Sequence, residues 1–176
     1  MDTAVPRWIE WTARAASLTT LPSGLWRIAL GVGVPVGFSG ELADMYRPGW
    51  TMTPYVIVLS LAAEGLAMLT MGLVRPWGET VPSWVPFLGG RSIPPLAAVV
   101  PASLGALAVT AITLVGAVTW ADPAAMGDPD APHGVAGAVM TACYAPLLAW
   151  GPLLAIVTTA YYLRRTRRPR PTEATA

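Results

Sequence analysis

Four long apolar runs, at residues 22–38, 54–74, 95–119 and 134–163, divide the chain, and short stretches rich in proline, glycine, aspartate and arginine separate them. Each run is near or above the length of about 20 residues that crosses about 30 Å of hydrocarbon. The pattern predicts an all-α fold, a four-span transmembrane helical bundle. The fourth run is longer than a bilayer requires and contains Pro146 and Pro152, so it should tilt, kink or extend beyond the membrane. Ahead of the first run, Trp8, Trp11, Ala15 and Leu18 recur at helical spacing while Arg7, Glu10 and Arg14 mark another face. That spacing predicts a short interfacial helix over residues 5–18, its indoles at headgroup depth, with a frayed terminus as the alternative. Three regions follow: an N-terminal segment (1–20), a transmembrane domain (21–163) and a basic, disordered tail (164–176).

Composition supports lipid as the solvent. Apolar residues make up 54% of the chain and charged residues only 12%, with a mean hydropathy of +0.53, too few charges to coat a water-soluble globule. The net charge of +1 hides a segregation, because every basic residue is arginine and all of them except Arg47 fall on one side of an alternating threading. By the positive-inside rule that side is cytoplasmic. An even number of spans then puts both termini in the cytoplasm of a bacterial plasma membrane, with the basic tail against anionic lipid. A nucleic-acid role is not expected of arginines that topology already explains. The first run is longer than a signal-peptide core and starts late, although Gly37 and Ser39 form a small-x-small pair, so the span should be retained.

Single copies of cysteine (Cys143) and histidine (His133) exclude an intrachain disulfide, a cysteine-built metal site and bis-histidine haem ligation within one chain. No cofactor is expected. Asp128, Asp130 and His133 share a turn-rich loop, but aspartate and proline are what a turn uses, so no metal site is expected there. No phosphate-binding glycine loop, H-E-x-x-H or G-x-S-x-G motif occurs, and the chain is not expected to be an enzyme.

The residues that remain are polar or small groups at membrane depth. Glu64 lies about midway along the second run, where a charged side chain costs on the order of 2.5–3.5 kcal/mol. It should face the bundle interior or carry its proton. Arg27 is the candidate cation partner, and Tyr144, Thr110, Thr113 and Ser60 are neutral ones. Three roles stay open for Glu64: a proton or cation site in a small transporter, a contact specifying a partner helix, or a packed hydrogen-bonding acid. Gly33 and Gly37 form a G-x-x-x-G pair that predicts close helix packing, within the chain or against a second copy. In the loop between the second and third runs, Arg75 and Glu79 bracket Pro-Trp-Gly and predict a local ion pair, while Arg91, Trp77 and Trp84 mark the cytoplasmic interface.

The segment RPWGETVPSWVPFLGGRSIPPLAAVVPA, through Arg75, Pro76, Trp77, Gly78, Glu79, Pro82, Trp84, Pro86, Gly90, Arg91, Pro94 and Pro101, together with LPSGLWRIALGVGVP at the first span, resembles a pattern of multi-span membrane proteins of actinobacteria. It covers about a third of the chain. The resemblance implies an actinobacterial integral membrane protein and no particular reaction. The expectation is therefore a non-enzymatic structural or partner-binding component, its partner another membrane protein or a second copy, with a small transporter using Glu64 as the alternative.

Overall fold

The computed structural model describes residues 5–80 and 89–166, and among them the regular secondary structure is all helical, apart from one isolated bridge between Thr80 and Ser92. Seven α-helices occur in order: α1 (Arg7–Leu18), α2 (Leu21–Gly31), α3 (Gly40–Met45), α4 (Met52–Gly72), α5 (Pro95–Val118), α6 (Gly134–Tyr144) and α7 (Leu147–Thr166), with a 3-10 turn at Pro76–Gly78. Among the described residues three segments are long and apolar enough to cross a membrane: Met52–Gly72, Pro95–Val118 and Gly134–Thr166. They match the second, third and fourth apolar runs to within about three residues.

The first run departs from its expected form. Its helix stops at Gly31 after 11 residues, about 16 Å at 1.5 Å per residue, too short to cross hydrocarbon alone. Gly33 and Gly37 lie beyond it with φ of +91° and +102°, the left-handed region that glycine enters without steric cost. The G-x-x-x-G pair is thus corrected: it builds a turn and forms no helix face. Gly33 approaches Pro48, and Gly37 approaches Ala136 and Pro132. Close helix packing falls instead to Gly24 and Gly31, which sit against Glu64 and Val56 of α4, and to Gly151, which sits against Thr110 and the Ala106 carbonyl of α5.

The N-terminal helix forms at the expected residues, but protein covers its inner face. Ile9, Ala13 and Ala16 are buried, packed with Leu73 and Val74 after α4 and with Trp150, Val157 and Tyr161 of α7. Trp8 and Trp11 stay exposed on the other side. Pro22 explains the break between α1 and α2: it has no N–H, and its ring would clash with the carbonyl four residues back, at Leu18, where α1 ends.

Register shows how α1 and α2 lie on α4. Ser17 bonds to Ala67, Thr20 to Glu64, Arg27 to Ser60, and Thr53 to Gly31, so one chain index rises as the other falls and the two segments run antiparallel along the whole of α4. On the other side of the bundle α5 packs on α7, where Gly151 meets Thr110 and Leu154 approaches Gly105. The helix pair α6 and α7 breaks just ahead of Pro146, as the sequence predicts, whereas Pro152 lies inside α7 without ending it. Burial runs opposite to that of a water-soluble bundle. Ala106 is the buried residue of α5, and Leu61, Leu66, Leu104, Leu107, Ile112 and Val118 are exposed, as side chains facing lipid are.

Candidate functional site

The site begins at the break between α1 and α2, alongside the middle of α4, where hydroxyls gather against backbone carbonyls. The single Ser17 hydroxyl proton is shared between the Ala13 and Ala67 carbonyls, Thr19 donates to Ala16, Thr20 is directed toward Ser17, and Ser23 donates to Thr20. Irregular backbone at membrane depth persists only where such partners exist.

Glu64 meets this seam from α4. Its Oε2 lies 2.9 Å from the Thr20 hydroxyl, while Oε1 lies over Gly24 and is buried without a hydrogen-bond partner. A side chain on Gly24 would crowd it, since a Cβ there would stand 3.1 Å from Oε1. Thr20, Ser23 and Ser60 along this seam are buried almost completely. The Thr20 hydroxyl has one proton and two acceptors, Glu64 Oε2 at 2.9 Å and the Ser17 carbonyl at 3.3 Å. The shorter contact makes Glu64 the main acceptor of the Thr20 hydroxyl.

Arg27 lies one helical turn along. Its Nε donates to Ser60 Oγ at 3.3 Å, and its guanidinium carbon lies 6.0 Å from the centre of the Tyr144 ring. No salt bridge of the described residues joins Arg27 to Glu64; each is held by a hydroxyl instead. Tyr144 also stacks edge-on against Trp26 at 5.5 Å and tilts against Trp120 at 5.7 Å, while Phe38 touches Trp26 and Tyr46. An aromatic cluster thus closes the far end of the seam. Thr110 and Thr113 bond to carbonyls of their own helix and take no part.

A second cluster sits where both ends of the bundle's chain emerge. Glu79 reaches Arg164 at 3.0 Å and Arg165 at 3.3 Å, all three side chains being less than one-fifth exposed. Arg164 also donates to the Leu73 carbonyl and Arg165 to the Ile93 carbonyl, and the Ile93 N–H donates to the Glu79 carbonyl. The expected local pair with Arg75 gives way to this long-range one, and Arg75 and Arg91 are exposed. The tail expectation is corrected in the same place, because residues 164–166 are helical. Trp84 and residues 167–176 lie outside the described residues.

At the opposite end Asp130 accepts from the Glu41 N–H and from Ser39, tying two loops together, while Asp128 accepts from the Asp130 N–H and His133 contacts the Pro129 carbonyl. Among the described residues no group of three histidine, cysteine or acidic side chains is placed to hold a metal ion. Two features escaped the sequence reading, Thr20 as the Glu64 partner and Glu79 as the partner of the terminal arginines. The first had a signal in the helical spacing of Ser17, Thr20, Gly24 and Arg27; the second had none, since it joins residues 85 apart.

Compared with known proteins, the chain matches no family model, no curated protein and no solved structure.

Proposed function

We propose that the chain is a non-enzymatic structural component of a bacterial plasma membrane, crossing it four times with both termini cytoplasmic and acting through contacts with lipid and other membrane helices. In this reading α1 and α2 together make the first crossing. Laid end to end, residues 7–31 reach about 37 Å at 1.5 Å per residue, enough for the hydrocarbon layer, and they track α4 over its full length. The arginine asymmetry supplies the orientation, and the loop resemblance supplies the actinobacterial setting. The anionic lipid contact of the tail and assembly with a membrane partner or a second copy belong to the same reading.

The carrying observation is that the mid-span carboxyl finds a hydroxyl partner inside the chain. Glu64 is bonded to Thr20 and laid over Gly24, an arrangement suited to a contact that fixes α2 against α4. Glu64→Gln keeps a donor and an acceptor there, so stability in mild detergent should stay within about 1 kcal/mol of wild type, while Glu64→Leu should lose about 1–3 kcal/mol by stranding the hydroxyls. Purified protein in liposomes should pass no protons or monovalent cations above the level of empty vesicles.

A second reading, a small proton or cation transporter, is favoured by one observation: Oε1 is buried with no donor, beside a helix break. Discontinuous helices at the membrane midplane are where transporters place ion sites. Flux that depends on a pH gradient and disappears in Glu64→Gln would establish this second reading and remove the first.

A further inference from the structure

The chain leaving α4 folds back on its own helix. Leu73 and Val74 are buried, Arg75 turns outward, and the 3-10 turn Pro76–Gly78 brings the Trp77 ring against Gly72. Gly72 makes this possible, because a Cβ there would stand 2.8 Å from two ring carbons of Trp77. The backbone of Gly78 likewise approaches Gly72 too closely for any side chain.

The result is a groove of about 430 Å³ lined by Met68, Leu69, Met71, Trp77 and Arg75. Met68 and Leu69 are 65% and 59% exposed on a helix apolar enough to span a membrane, so the groove opens toward lipid. Arg75 stands at its mouth, beyond the last turn of α4, and enters no salt bridge with a described residue. An apolar wall ending in a tryptophan and a free guanidinium has the chemistry of one phospholipid seen from the protein side: acyl chain, interface, phosphate.

We infer that this groove binds a phospholipid with a net negative headgroup, its chain along Met68 and Leu69 and its phosphate paired with Arg75. A zwitterionic lipid presents the same phosphate beside its own cation and competes less well. The inference rests on the membrane reading and not on the role of Glu64.

The test uses the full chain in nanodiscs of phosphatidylcholine containing a minor fraction of brominated phosphatidylglycerol, with tryptophan quenching as the readout and brominated phosphatidylcholine as the control. Wild type should be quenched several-fold more efficiently by the anionic lipid, and Trp77→Phe should remove most of that excess. Arg75→Gln should reduce the preference at least threefold, Arg75→Lys should retain most of it, and Arg47→Gln, at the opposite end of the bundle, should leave it unchanged. The tail arginines are common to all variants, so differences between them report the groove. Equal quenching by the two lipids would overturn the inference. So would a preference that survives Arg75→Gln, or disulfide trapping that places a second copy of the chain in the groove.

Discussion

Replacing Glu79 should release the loop that precedes α5 from the end of α7. Its two carboxylate oxygens receive Arg164 and Arg165 at 3.0 and 3.3 Å, with side chains 18%, 12% and 13% exposed. Solvent therefore screens these charges little. Each guanidinium keeps one carbonyl partner after the change, Leu73 for Arg164 and Ile93 for Arg165, but Nε of both is already buried without a partner. Breaking one side of a buried pair costs about 3–5 kcal/mol when nothing compensates; the surviving carbonyl bonds should bring Glu79→Ala toward about 3 kcal/mol. Glu79→Gln retains one acceptor and should cost about 1.5–3 kcal/mol. A double-mutant cycle of Glu79→Gln with Arg164→Gln, followed by reversible denaturation in detergent, should give a coupling of about 1–3 kcal/mol. The coupling should change little between low and moderate salt, in contrast to the exposed Arg47–Asp44 pair. Additivity within about 0.5 kcal/mol, or loss of the coupling in salt, would show that the cluster contributes nothing to holding the loop.

Two further substitutions separate helix packing from turn geometry. Gly31→Leu drives a side chain into Val56 at the end of α2 and disturbs the Thr53 bond to the Gly31 carbonyl; it should destabilise by about 1–3 kcal/mol, measured by thermal unfolding in detergent. Gly33→Ala forces a side chain into a backbone with φ of +91° and should cost about 1–2 kcal/mol while leaving the oligomeric state in size-exclusion chromatography unchanged; a shift in that state would return the glycine pair to a helix interface.

The parts of this fold that the sequence made legible are those set by one-dimensional patterns. Three apolar runs became helices of nearly the expected bounds because a span must satisfy its own backbone, which ties length and hydropathy directly to structure. Pro146 broke the fourth run where its missing N–H removes a hydrogen bond. The first run misled because hydropathy continues through Val32, Val34 and Val36 after the helix has stopped, while the helix it belongs to begins earlier, in residues whose arginines and tryptophans resemble a surface element. Polarity on one face of α1 said what lies outside it and nothing about Ile9, Ala13 and Ala16, whose small, apolar face needed α4 and α7 to be seen.

The candidate site shows the same division. Glu64 stood out because a carboxyl in hydrocarbon is costly wherever it points, yet its partner could be found only from the register of α2 on α4. Arg27 was the electrostatic expectation; the register instead offers it Ser60 and offers Glu64 Thr20, so the two charges are separated by hydroxyls spaced along the same pair of helices. That separation bears on function. A direct ion pair would tie Glu64 to Arg27, whereas here each side chain meets a hydroxyl of the facing segment and Oε1 has no hydrogen-bond partner among the described residues. Comparing Glu64→Gln in stability and in flux therefore separates a locked helix contact from a proton or cation site.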